Sequence, residues 1–358
     1  SGSVASKRSA VSSISGKSFS TSGSRLPGSS AVYLTRQGLL GGRVDRPPVG
    51  SVTSVANVDQ MEAESGNPGI KRLLGSTPGM GKALGLELVD VTDWNCCGAM
   101  EVKNIDPKLQ TYLSSRVMSI AANKMGMDTV MAPCNGCYHN LKKAEYDLAN
   151  DPESVEVVER LSKKSGHDTY QAGQVETIHA LDWVKETIGE EGLKERVKNS
   201  LKDMKIANYY GCMYTRPRHI FPEKDQGPGS ESTSKPHFMD DLLEAAGAEN
   251  VEFPLKTACC GGAHTLSDSD TSTKLVLNIL QAAEASGAEV IATECPTCHS
   301  GLEMHQIRAE ATLGVKTNVK IIYFTQLLGM ALGLKPKQVG LHENVSDSFA
   351  FVKEKGLA

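Results

Sequence analysis

Eight of the nine cysteines fall into one pattern written twice: Cys96-Cys97-Gly98 then Cys134-x-x-Cys137, and Cys259-Cys260-Gly261 then Cys295-x-x-Cys298. Cys212 stands alone, upstream of the second copy. Adjacent cysteines feeding a distant C-x-x-C gather four thiolates around one point, which suits a soft metal or an iron–sulfur cluster and not a disulfide framework. Neighbouring side chains diverge along a strand and a vicinal disulfide is strained, so the Gly after each pair supplies the turn that lets both sulfurs reach one cluster. At each C-x-x-C a strand delivers the first cysteine and a helix begins at the second, where backbone amides favour negative sulfur. Four thiolates also suit closed tetrahedral zinc at the first set, whereas Cys212 makes five at the second, one more than zinc takes.

The elements that must position these sulfurs repeat as well. Ala121-Ala122, Gly126, Asp128 and Val130 precede Cys134 as Ala282-Ala283, Gly287, Glu289 and Ile291 precede Cys295. Each copy reads as helix, Gly turn, short apolar strand, cysteines, helix, and Met80–Val91 with Gly85 matches Leu242–Phe253 with Gly247 upstream. Strands are predicted at 86–91, 206–210, 251–254 and 320–324, and helices at 106–124, 139–149, 179–203, 239–246, 271–286 and 299–311. Alternating strands and helices predict an α/β fold of two related lobes with largely parallel sheets, cysteines at the strands' C-terminal ends. The division expected is 1–50, a Ser/Gly-rich basic extension; 51–204, a first repeat; 205–345, a second; and 346–358, a tail.

The extension carries Lys7, Arg8, Lys17, Arg25, Arg36, Arg43 and Arg46 against the single acid Asp45, although the chain's net charge is −4. That composition predicts a mitochondrial or plastid targeting segment or its remnant, with a disordered basic linker as the alternative. No stretch approaches the roughly 18 consecutive apolar residues of a membrane span. Membrane contact is therefore expected to be peripheral or through partners, with no nucleic-acid partner.

Other candidates are weaker. His264 after Cys260-Gly261-Gly262, and His219 with Arg216 and Arg218 after Cys212, could bond a cluster or give protons to a substrate, or serve surface or structural roles. His139 and His299 follow the C-x-x-C motifs, as further such groups or as helix-start residues. Gly75–Ala83 imitates a phosphate loop but has five residues between its glycines and Ala where Ser/Thr belongs, so it reads as a turn. Gly227–Pro236 reads as an exposed insertion, and Phe324–Leu334 as a buried helix or a contact with a membrane subunit.

Cys-x(n)-Cys-Cys-Gly-x(n)-Cys-x-x-Cys in duplicate resembles the CCG domain of the catalytic B-type chain of heterodisulfide reductase and of the cysteine-rich E-type chain of some succinate:quinone oxidoreductases and thiol:fumarate reductases. The resemblance runs from about 66 to 345 and includes Asp93-Trp94-Asn95-Cys96-Cys97-Gly98-Ala99, Asn135-Gly136, Tyr210-Gly211-Cys212 and Phe324-Thr325-Gln326-Leu327-Leu328-Gly329. It implies a noncubane 4Fe-4S cluster on Cys212, Cys259, Cys260, Cys295 and Cys298. The first motif matches at Cys96, Cys97, Cys134 and Cys137 but lacks the leading cysteine, due around Ala56–Glu64, where Asp59, Glu62 and Glu64 are poor substitutes. Zinc, an altered cluster or nothing is then expected there. The resemblance implies an iron–sulfur subunit of a respiratory complex, foremost a complex II-like succinate:quinone oxidoreductase on the matrix face of the mitochondrial inner membrane, fed by another iron–sulfur subunit. The alternatives are a disulfide-cleaving chain of the heterodisulfide reductase B type, a structural metal-bound assembly subunit and, for location, a prokaryotic cytoplasm.

Overall fold

The computed structural model describes residues 33–35 and 68–357, apart from Glu87 and Leu266. The interval holding Asp59, Glu62 and Glu64, and nearly all of the basic extension, lie outside the described residues.

In chain order the elements are β1 (Tyr33–Thr35), α1 (Pro68–Ala83), β2 (Val89–Asp90), α2 (Glu101–Ile105), α3 (Pro107–Ser119) running into a π-turn, β3 (Thr129–Ala132), α4 (Asn135–Asn150), α5 (Pro152–Ser165) and β4 (Glu176–His179). There follow α6 (Ala180–Thr187), α7 (Gly189–Lys194), β5 (Lys205–Tyr209), α8 (Phe238–Ala245), β6 (Glu249–Asn250), α9 (Ser269–Ala285), β7 (Val290–Thr293), α10 (Pro296–Leu313), β8 (Lys320–Tyr323), α11 (Phe324–Ala331) and α12 (Ser348–Glu354). Local chemistry accounts for several starts. Asp106 accepts from the amides of Lys108 and Leu109 ahead of Pro107, Asp151 caps α5 ahead of Pro152, and Asp268 caps α9 through Thr271.

The strands form two four-stranded sheets, β2-β1-β3-β4 and β6-β5-β7-β8. The second is parallel throughout. In the first, β3 and β4 are parallel, while β1 runs antiparallel to both neighbours. It thus takes, in reverse, the place that β5 holds in the second sheet. The central strands β3 and β7 are buried at every residue, as parallel strands covered by helices on both faces must be. Register preserves the repeat: Ala132 pairs with His179 as Thr293 pairs with Tyr323, each pair two residues before a C-x-x-C.

Some expectations give way. Gly75–Ala83 belongs to α1, with Pro78 inside the helix, and not to a turn. The chain turns afterwards, at Gly85, whose φ is +76°. The helix expected over 179–203 is two short ones parted at Gly189, β2 has two residues, and β6 lies two residues before its predicted place. Gly227–Pro236 is anchored and not simply exposed: Glu231 is 2% exposed and accepts from the amides of Ser232, His237 and Phe238 at 2.8, 2.8 and 3.1 Å. Every residue of α11 is buried, so it is a core helix.

An ionic cluster brings residues of the two halves together. Lys224 Nζ, its side chain 1% exposed, donates to both Asp182 oxygens at 3.2 and 3.3 Å and stands 3.7 Å above the Tyr214 ring. Tyr214 donates to Asp182, and Tyr138 stacks on Phe221 at 5.1 Å. Asp182 follows β4 and Lys224 precedes the Glu231 loop, so the pair joins the halves.

Candidate metal centre

Cys134 caps α4 in extended conformation at the end of β3, and Cys137 lies in the first turn. Cys137 Sγ is 3.3 Å from Cys97 Sγ. The Cys96-Cys97-Gly98 loop is held from three sides. Asn140 Nδ2 donates to the carbonyls of Cys97 (3.3 Å) and Ala99 (2.8 Å), and Asn95 Nδ2 to those of Cys96 and Leu113 (both 2.9 Å). Arg116 fastens Asn95 Oδ1 at 2.8 Å. His139, buried, lies 3.2 Å from Asn140 Oδ1, and burial lowers its pKa to about 4, so it is a neutral prop for the loop's anchor.

The second set repeats this plan. Cys295 caps α10 at the end of β7, Cys298 sits in the first turn, and Cys298 Sγ is 3.3 Å from Cys260 Sγ. Cys212 follows β5 and pairs with Cys259, the one exposed cysteine among the nine. The Cys212 hydrogen bond, then the Gly261 amide at 3.3 Å and the charges of His264 and Arg216, lower the Cys259 pKa to about 5 against the opposing effect of burial. Hydrogen bonds from Cys137 and Cys96 likewise hold Cys97 below the usual thiol range. In each set the hydrogen bonds thus favour the thiolate form, the one a soft metal takes up.

Gly261 makes the second turn possible. Its φ is +76°, and an added Cβ would sit 3.0 Å from Leu275 Cδ1 and 3.1 Å from Ser272 Cα. Gly261→Ala is expected to cost about 2–3 kcal/mol through the left-handed backbone and the clash, lowering the thermal midpoint by roughly 3–5 °C. An unchanged midpoint in a melt followed by circular dichroism would show that the loop accepts a side chain.

All nine cysteines line one cavity, of about 80 Å³, together with Met100, Met213 and Thr297. A single water needs only about 10–15 Å³ on this measure, so the space exceeds one bound atom. The halves touch inside it: Cys134 and Cys295 are hydrogen-bonded to each other, and that contact is the first reason the Cys295 pKa stands well above the usual thiol range. Among the described residues no three Cys, His, Asp or Glu side chains already surround one ion-sized point. Soft thiolates along the walls of a cavity this size fit a cluster better than a lone tetrahedral ion.

Of the other predicted groups, Arg216 and His264 are exposed beside Cys259. His219 packs on Tyr146 instead, with ring centroids 4.8 Å apart, and is not part of the cavity wall. His299 stacks on Tyr323 at 6.0 Å and faces Glu303 at 3.5 Å. Sequence reasoning missed Met100, Met213 and the Asn140 anchor. Asn140's position in the first turn after a C-x-x-C was the available signal.

The profile of the cysteine-rich CCG domain matches residues 68–142 and 206–303. The chain is 30% identical over 285 residues to the B chain of the ferredoxin/F420H2-dependent CoB–CoM heterodisulfide reductase of Methanosarcina acetivorans, covering 77% of this chain and 91% of that protein. It is 31% identical over 265 residues to the 8-methylmenaquinol:fumarate reductase membrane anchor subunit of Wolinella succinogenes, covering 74% and 88%. In fold it resembles the crystal structure of a hypothetical protein from Helicobacter pylori, with a TM-score of 0.60 at 15% identity over 78% of this chain, which spans about half (49%) of that one. These relatives are archaeal and bacterial, which overturns the mitochondrial location expected from the basic extension. A Ser-rich, acid-poor composition marks any polar tail as well as a targeting segment. Among the described residues no helix is long and apolar enough to cross a membrane.

Proposed function

Because the chain belongs to the family of cysteine-rich CCG proteins that includes the B chains of heterodisulfide reductases, we propose that it is an iron–sulfur subunit of a respiratory reductase whose shared cavity reduces a disulfide. One observation carries this reading: both cysteine sets open onto one cavity and meet in it at Cys134 and Cys295. A subunit that only relayed electrons would need no common mouth for its two sets.

Cys212, Cys259, Cys260, Cys295 and Cys298 would hold the second centre, and Cys96, Cys97, Cys134 and Cys137 a first with one thiolate fewer. Iron–sulfur clusters bound there would supply the two electrons that a disulfide takes up. The overall change is R–S–S–R′ plus two electrons and two protons giving two thiols, the electrons coming from an iron–sulfur partner and the protons from water at the mouth. Arg216 and His264, whose charges act on Cys259, place positive charge where thiolate character develops. Met100 and Met213 give that wall an adaptable apolar lining for the substrate's carbon chain.

A second reading, electron transfer toward quinone in a succinate or fumarate reductase, draws on the anchor subunit among the relatives. Turnover separates the two. The anaerobically purified assembly, given reduced viologen and a mixed aliphatic disulfide, is expected to release two thiols per two electrons consumed. Viologen oxidation by a quinone analogue with no thiol release would favour the second reading, and zinc without iron in metal analysis would sink both in favour of a structural role.

A further inference from the structure

The hydroxyl of Tyr323 lies between two carbonyl oxygens, that of Glu294 at 2.5 Å and that of Pro133. Pro133 immediately precedes Cys134, and Glu294 immediately precedes Cys295. One phenol from the end of β8 thus reaches the last peptide before the C-x-x-C of each half, at the place where the two cysteine sets touch. Its ring is 2% exposed, stacked on His299 at 6.0 Å and tilted against Phe324 at 5.7 Å, so its direction is fixed by packing. At the equivalent place in the first sheet stands His179, opposite Ala132. Its Nδ1 accepts from the Leu181 amide at 3.1 Å, and the Glu294 carboxylate of the other half stands 3.9 Å away, beyond hydrogen-bond reach. The bridging is therefore a property of Tyr323 and not of the repeat.

We propose that Tyr323 is a positioning residue whose hydroxyl, its one proton shared between the Pro133 and Glu294 carbonyls, sets the separation of the two cysteine sets and so the coupling between the centres they hold. The proposal rests on the disulfide-reducing iron–sulfur function only for the presence of metal. Each peptide it grips is directly bonded to a proposed ligand residue, so a shift there moves Cys134 or Cys295 with little averaging along the chain.

Tyr323→Phe keeps the stacked ring and removes only the bridge. In full-length protein purified anaerobically, Y323F is expected to retain the wild-type metal content per chain, while the magnetic interaction between the two centres, read by electron paramagnetic resonance of the reduced protein, changes. Identical spectra would overturn the proposal. A second measurement needs no metal. In the chelator-stripped full-length chain, diamide oxidises thiols in contact, and the Cys134–Cys295 disulfide is counted by peptide mapping. Y323F is expected to lower its yield about fivefold, the effect of one net hydrogen bond on an equilibrium, and an equal yield overturns the assignment. Should Y323F not fold, 3-fluorotyrosine at position 323, which keeps the hydroxyl and makes it a stronger donor, is expected to hold the yield at or above wild type; a fall refutes the role. Absence of iron in the wild type would remove the redox reading, and the bridge yield would still decide the place of Tyr323.

Discussion

Replacing Cys212 by serine is expected to empty the second centre while leaving the first in place, so that iron per chain falls to roughly half and disulfide turnover drops by more than about a hundredfold. Changing groups that merely support a metal ligand costs about 10–100-fold in affinity or activity, and loss of a ligand exceeds that. Cys212 is only partly buried, so the change is not confounded by a core cavity. Serine keeps a hydroxyl that can donate to Cys259, the hydrogen bond that does most to lower the Cys259 pKa from the usual thiol range to about 5, so Cys259 should still react readily with an alkylating agent near neutral pH. Metal analysis of C212S beside wild type checks the first part; full iron content would remove Cys212 from the ligand set.

The second large effect is on stability. Lys224→Met leaves Asp182 buried beside Tyr214 without its cation, and is expected to cost about 3–5 kcal/mol, the usual result of breaking a buried pair by removing one partner. Adding Asp182→Asn should recover part of the loss, because the carboxylate in contact with Lys224 is then gone while buried Glu231 and Glu294, on which Lys224 also acts, remain. Urea unfolding of both variants measures the difference. If K224M alone proves as stable as wild type, the pair does not hold the halves together. The prediction does not depend on metal, since neither residue is part of the cavity wall.

How much of this was legible beforehand follows from the range of each signal. The cysteine pattern and the apolar runs before Cys134 and Cys295 are local, and they located β3, β7, α4 and α10 to within a few residues. β4 was missed because Glu176–His179 runs directly into a helix, so the two periodicities merge. α5 was missed because its buried face consists of Ser154, Val158 and Ser162, too small and polar to read as a stripe. The convergence of both sets on one cavity, and the reach of Tyr323 across it, depend on how the two sheets pack. No spacing encodes that. The missing leading cysteine turned the sequence reading away from disulfide chemistry, whereas the shared cavity supports it.

The seat opposite Thr293 and Ala132 has a meaning for the history of the gene. A duplication that fuses two copies of one fold ordinarily leaves each copy free to be lost, swapped or inherited alone. Here one copy has filled its seat with Tyr323, which serves the Pro133 peptide of the other copy, while Asn135 of that copy donates to the Tyr210 carbonyl in return at 2.7 Å. Each half now completes hydrogen bonds that the other would leave open, so separating the two copies would leave the Pro133 and Tyr210 carbonyls without these donors.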